Sequence, residues 1–414
     1  MENQLNPRLR PTKALVHDAV DATTWLINEG HESTARLVVG ALSLVPGLRE
    51  PARVADAVRR VITGGVLGSV RAVNRAVEVA SDVALDLSPL EEAPEPTLPL
   101  RSDALLTAAG AIDQLVGVMN GAVGDHLADS GNGFDLGMRL RFGDRWLSPD
   151  AAGLRRGAPE IGGRLVVLVH GLATTELSWS LDAETALGDA SSNYGALLRE
   201  EQELTPLFLR YNTGLTVAEN GQRFAAMLEA LLEAWPVEVE ELVLLGHSMG
   251  GLVSRAATHA GRAAGHGWLT PLKHVVCLGS PHEGAPLARV GQIAADTLEA
   301  LEHPATRIIG RILSHRSDGV KDLRSRELEA VGPLLGGVRY LFVAGSLTAD
   351  PDHPVASILG DMLVPVESAS GPAGANVQVR RFGGVAHHRL QVHAGVYRAV
   401  ADALQESPTI ILSV

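Results

Sequence analysis

A single cysteine, Cys277, stands among 414 residues. No disulfide can close within the chain, and one thiol cannot build a cysteine-based zinc site. Lysine is nearly as scarce, with Lys13, Lys273 and Lys321 alone. The net charge of −13 offers no basic field to neutralise phosphates, so no nucleic-acid partner is expected. No run of about 18 uncharged apolar residues occurs, and no spanning helix is expected. The opening MENQLNPRLRPTKALVHDAVD lacks an apolar stretch with a small-residue cleavage site, which argues against a classical secretory signal. The expectation is a soluble, cytoplasmic protein. The histidines show no HExxH or paired-ligand spacing, so no metal and no cofactor are expected.

Hydrophobic residues make up 46% and charged residues 20%, enough for a sizeable core and too apolar for global disorder. The length fits one large α/β domain with an appendage. Residues 11–88 read as helices. The clearest stripe is Val66, Val70, Val73, Val77, Ala80, Ala84 and Leu87, whose steps of four and three mark one helix face. The stretch SPLEEAPEPTLPL (88–100) follows; its four prolines cannot continue a helix, so it reads as a linker. Two domains are therefore expected: an N-terminal all-helical region over 1–100, and a second domain over 101–414 with its core at 161–405. Three arrangements suit the N-terminal stripes: packing on one another, self-association, or peripheral membrane contact. Their polar faces mix both charges, which is not the usual membrane-surface signature.

A second stripe, Leu105, Ala109, Ile112, Val116, Met119 and Val123, reads as a helix capped by Ser102. The glycines of SGNGFDLGMRLRFGDRW suggest a turn and a short strand pair. From about 161 the texture changes. Short apolar runs at 165–169, 207–211, 242–245, 275–278, 340–344 and 377–382 alternate with helical patterns such as 218–234 and 251–264. Continuous Val/Leu runs imply strands buried on both faces, hence an α/β fold with a mostly parallel sheet flanked by helices.

The sharpest local signal is Gly246-His247-Ser248-Met249-Gly250, a G-x-S-x-G. Alone it is weak and would suit a glycine-rich helix start. Here an expected strand runs into it and an expected helix runs out, the setting in which a tight turn lifts Ser Oγ out of the sheet edge. Backbone N–H groups must then face the oxyanion: one from Met249, after the nucleophile, the other from the loop after an early strand, most simply Leu172 in His170-Gly171-Leu172. The His170 side chain itself reads as structural.

Topology leaves three carboxylates open as the acid, Asp350, Asp352 and Asp361, all after the 340–344 strand; LTADPDHP also reads as a plain turn. Three histidines compete as the base, His387, His388 and His393, all after the last strand and the Gly383-Gly384 turn. The bland reading of His393 is a solvated residue on the last helix. Cys277, mid-strand, reads as an inert buried thiol. Residues 281–286 read as a structural loop near the site, and 173–194 as a lid or mouth.

At these residues the chain resembles the α/β-hydrolase family, in particular bacterial esterases and lipases whose elbow reads GHSMGG, and the lipase-like group that includes the GPI-inositol deacylases. The blocks that carry the resemblance are VLVHGL (167–172), LRYNTG (209–214), LVLLGHSMGGLVSR (242–255), CLGSPHEGAP (277–286), GDMLVPVESA (360–369) and the region after His387. The resemblance implies a Ser–Asp–His triad in that chain order. It selects Asp361, because G-D-x-x-V-P-V-x-S-A is the family's acid block. It selects His387, because Leu390, Val396 and Tyr397 follow at the family's spacing. The implied function is a serine hydrolase cleaving a small-molecule or lipid ester through an acyl-enzyme. A lipid-remodelling deacylase or acyltransferase on the same site is the alternative, and a non-catalytic helical scaffold with a degenerate hydrolase domain is the remaining one.

Overall fold

The computed structural model describes residues 98–129, 134–147, 154, 161–284, 317–323, 329–351, 353 and 360–406. The helices expected over 11–88, and most of the expected linker, lie outside the described residues. Leu98 and Leu100, inside that linker stretch, already pack: Leu100 is buried with the core, and the Leu98 carbonyl accepts from Arg141 at 2.6 Å.

Eight strands form one sheet in the order β2-β1-β4-β3-β5-β6-β7-β8. They are β1 (Met138–Phe142), β2 (Arg145–Trp146), β3 (Arg164–Val169), β4 (Thr205–Tyr211), β5 (Glu241–His247), β6 (Leu272–Leu278), β7 (Arg339–Ser346) and β8 (Val377–Gly383). From β4 to β8 every pairing is parallel. β1 runs antiparallel to both β2 and β4, so the expected short strand pair extends one edge of the sheet.

Alternation explains the unbroken apolar runs. Leu165, Val167 and Val169 of β3 join one core cluster, while Val166 and Leu168 join the other. Successive strand residues point to opposite faces, and both faces are covered. The long helices among the described residues are α1 (Ala108–Asp129), α2 (Tyr194–Gln202), α3 (Val217–Ala234), α4 (Met249–Ala264) and α5 (Ala394–Gln405). Val217, Phe224 and Leu228 of α3 pack on one face with Leu252 and Val253 of α4. Tyr194 and Leu198 of α2, with Val396, Val400 and Leu404 of α5, pack on the other. None of the described helices is long and apolar enough to cross a membrane.

The sequence reading of α1 needs one correction. Ser102 does not cap it; residues Asp103–Leu106 form a separate short 3-10 turn, and α1 starts at Ala108. Thr107 caps it instead, its hydroxyl accepting from the Gly110 N–H at 3.0 Å. In 173–194, expected as a lid or mouth, part of the first half is embedded. Glu176, Leu177, Trp179 and Ser180 are fully buried, and the Trp179 ring packs 6.1 Å from that of Tyr194. These four residues are packed into the core.

Candidate active site

The order β4-β3-β5 marks the point where the chain switches direction across the sheet. In open α/β sheets ligands bind beyond the carboxyl ends of the strands at this point. Ser248 stands there, directly after β5, with φ 54° and ψ −124°, a conformation that L side chains rarely adopt. The turn closes because its neighbours lack side chains. A Cβ on Gly250 would fall on the carbonyl oxygens of Val169 and His170, and one on Gly246 would strike the Gly250 backbone. Ser248 N–H donates to the Leu278 carbonyl at 2.8 Å, which fixes the elbow to β6. α4 begins at Met249 and points its N-terminus, the positive end of its dipole, at the same spot.

The loop after β3 closes on the elbow. A Cβ on Gly171 would lie 3.1 Å from Ser248 Cβ. Neither the Leu172 nor the Met249 N–H finds an acceptor among the described residues. His170 is buried, and burial pushes its pKa down to about 4. Its Nε2 accepts from Tyr211 N–H at 3.3 Å, so Nδ1 carries the proton, and the ring stacks 4.5 Å from that of Tyr211. This is the structural role expected of it.

On the other side of Ser248, Asp361 and His387 meet. Asp361 is completely buried, and its Oδ2 accepts from His387 Nδ1 at 2.7 Å. Its Oδ1 accepts from the Leu363 and Val364 N–H groups at 3.1 and 2.9 Å. The His387 N–H returns to the Asp361 carbonyl at 3.0 Å. With Nδ1 held by the carboxylate, Nε2 is the nitrogen left for chemistry. A Cβ on Gly279, next to the Leu278 that anchors Ser248, would lie 3.2 Å from His387 Cε1 and 3.1 Å from Asp361 Oδ2. No hydrogen bond joins Ser248 Oγ to His387; catalytic bonds of this kind tighten when substrate enters.

Sequence reasoning passed over His247. Its ring lies 4.8 Å from that of His387, and its Nε2 donates to the His387 carbonyl at 3.0 Å. Burial, then the neighbouring His387, hold its pKa well below the ordinary value, so it stays neutral. The only signal for it was its place inside the elbow motif.

The rival residues do not form the Asp361–His387 hydrogen bond. Asp350 is exposed, and its carbonyl accepts from Thr348 Oγ1 at 2.6 Å. Asp352 lies outside the described residues. His388 is exposed, and no hydrogen bond joins its ring to a carboxylate among the described residues; the Asp182 and Asp361 charges reach it only through space. His393 caps α5, its Nδ1 accepting from Val396 N–H at 3.3 Å. Cys277 is fully buried, and burial pushes its thiol up to about 12. In the described part of the expected loop, 281–284, His282 Nδ1 accepts from the Arg255 guanidinium at 2.9 Å and its backbone N–H donates to the Ser368 carbonyl at 3.2 Å.

Residues 160–297 match the family model of the PGAP1-like alpha/beta domain. The mostly parallel sheet and the sharp turn at Ser248 between β5 and α4 are the architecture that the sequence leads one to expect. Among solved structures, lipase BlEst2 of Bacillus licheniformis in its mature form is 17% identical over 58% of this chain and 91% of its own, with a TM-score of 0.39. Carboxylesterase CesB of Bacillus subtilis is 13% identical over 59% of this chain and 85% of its own, TM-score 0.31. Phospholipase PlaB of Legionella pneumophila is 14% identical over 59% of this chain and 60% of its own, TM-score 0.39. No curated protein sequence matches the chain.

Proposed function

We propose that this chain is a serine hydrolase that cleaves carboxylic esters. The observation that carries the reading is the buried 2.7 Å hydrogen bond between Asp361 and His387, formed beside a strained Ser248 elbow. A carboxylate behind an imidazole holds the tautomer that leaves Nε2 as a base. In the proposed cycle Ser248 Oγ attacks the ester carbonyl carbon while His387 Nε2 takes the hydroxyl proton. The carbonyl π pair moves to oxygen, and the resulting oxyanion is held by the Leu172 and Met249 N–H groups. The intermediate collapses with loss of the alcohol, which receives the proton from His387, leaving an acyl-Ser248. Water, deprotonated by His387, then releases the acid and restores Ser248. Each oxyanion donor in such a site is worth about 3–4 kcal/mol of barrier.

The test is hydrolysis of p-nitrophenyl esters of rising chain length by the full chain and by Ser248→Ala. Loss of about 10⁶ in kcat is expected for the variant. Wild-type turnover by a folded Ser248→Ala protein rejects the assignment. Adding alcohol acceptors to the same panel separates hydrolysis from acyl transfer, because transesterification products form only if an alcohol competes with water at the acyl-enzyme.

A further inference from the structure

The Leu172 N–H, assigned above as an oxyanion donor, shares a planar peptide unit with the Gly171 carbonyl. The two groups point in opposite directions, so whatever holds the carbonyl aims the donor. Two hydrogen bonds hold it. Thr174 Oγ1 donates to Gly171 O at 2.9 Å, and His170 Nδ1 donates to it at 3.0 Å. The next residue, Ala173, takes φ 59°, and its N–H is caught by Thr213 Oγ1 at 3.1 Å.

Beneath this turn lies α1, a helix that precedes the sheet and that the sequence marks only as an apolar stripe. It presents a face without side chains to the loop. A Cβ on Gly117 would come within 3.1 Å of the Thr174 carbonyl carbon, and one on Gly121 within 2.6 Å of Ala173 Cβ and 2.7 Å of its Cα. One turn earlier on the same face, Asp113 accepts from Thr175 Oγ1 at 2.5 Å and pairs with Arg210 at 2.6 Å. Arg210 also grips Glu176 at 2.6 Å, and Arg141 reaches the same carboxylate at 2.7 Å. Burial alone would raise the Glu176 carboxyl, but the two guanidiniums outweigh it and keep it ionised. Residues 173–176 are thus seated on a glycine floor and pinned at their far end by buried charge.

We propose that Thr174, seated on the glycine face of α1, is a positioning residue that aims the Leu172 N–H at the oxyanion. Resting on the hydrolase reading above, this makes α1 part of the apparatus that stabilises the transition state. Thr174 touches no reacting atom and acts through the peptide plane alone.

Four full-length variants test it on one p-nitrophenyl ester, with Ser248→Ala run beside them. Thr174→Val keeps the shape and removes the hydroxyl, while Thr174→Ser keeps the hydroxyl. Gly121→Ala wedges the loop from below. Thr213→Val releases the Ala173 N–H. Displacing an oxyanion donor costs less than the 10²–10³ of deleting one, so Thr174→Val is expected to lower kcat by about 10–100-fold with KM nearly unchanged. It should weaken a boronate mimic of the tetrahedral intermediate by the same factor, and Thr174→Ser should restore both. Gly121→Ala and Thr213→Val should follow Thr174→Val. If Gly121→Ala fails to fold, Thr174→Val and its serine rescue still decide. Wild-type kcat and boronate affinity in Thr174→Val, with Ser248→Ala inactive, overturn the positioning role and leave the hydrolase reading standing. A lowered melting temperature with unchanged kcat also overturns it, since a merely structural contact would behave that way. Activity retained in Ser248→Ala sinks the underlying reading instead.

Discussion

Ser248 and Leu172 stand at the ends of β5 and β3, strands that are hydrogen-bonded neighbours with Val169 opposite Gly246. Asp361 and His387 hang from loops beyond β7 and β8, which are neighbours too, with Ser346 opposite Gly383. The first pair is shaped mainly by backbone: a strained φ, glycines packed against carbonyls, and a peptide plane held at its carbonyl end. The second pair is fixed by side chains, a carboxylate that accepts an imidazole N–H and two backbone N–H groups. Changes to the glycines that shape the first half should therefore act through the fold, and changes to the second half through its chemistry.

Asp361→Asn is the largest test of that difference among the loop residues. The amide keeps the shape but can donate to Nδ1, which then presents the wrong tautomer to Ser248. A fall of about 10⁴ in kcat is expected, as for the equivalent change in other triads. The melting temperature should move far less than the rate, because the change is isosteric. Steady-state kinetics and thermal unfolding on one preparation check it; a fall in stability with near-normal kcat would assign the second half to the backbone-controlled class and erase the contrast.

The same contrast explains what the sequence made legible. The run 165–169, the run 242–245 and the G-x-S-x-G between strand and helix are local, so the elbow and the first loop could be placed from neighbours in the chain. The proposed acid could not: Asp361 lies well past the end of β7, and Asp350 stands closer to the strand with an equally suitable side chain. Only the resemblance of its block to known hydrolases chose it. The ion cluster of Asp113, Arg141, Glu176 and Arg210 was not legible at all. Its members are scattered along the chain, and nothing in the spacing of a charged residue says that it will be buried opposite another. Gly117, Gly121 and Gly124 were hidden for a related reason. A glycine on a helix reads as a weakness until the backbone that presses on it is known; here Ala173, Thr174 and the Asn212 side chain do so.

Gly250→Ala tests the first half. Its Cβ would meet two backbone carbonyls at the end of β3, neither of which can swing away as a side chain could. Overpacking of this kind costs typically about 1–3 kcal/mol, and the upper end or beyond is expected here because both neighbours are backbone. Urea unfolding should show the midpoint falling, with activity lost in parallel as the elbow and the first loop are forced apart. A variant of native stability would mean that the elbow relaxes freely and is not held by the packing described.

Asp350→Asn and His388→Gln should have the smallest effects, and they sharpen the comparison by asking whether the loops beyond β7 and β8 really commit to one pair. Both residues were open to the reading from topology alone. Both are exposed, and the carboxylate hydrogen-bonded to His387 is that of Asp361. His388 follows His387 immediately, but no described carboxylate is hydrogen-bonded to its ring; Asp182 and Asp361 act on it only through space, and burial outweighs them and disfavours its imidazolium. Each variant should keep kcat within about a few-fold of the wild type, in the range expected of surface substitutions that touch no buried feature. A loss approaching that of Asp361→Asn in either one would show that the acid–base pair can be drawn from more than one residue on these loops. The second half of the site would then be defined by the reach of its loops instead of by the hydrogen bond that joins Asp361 to His387.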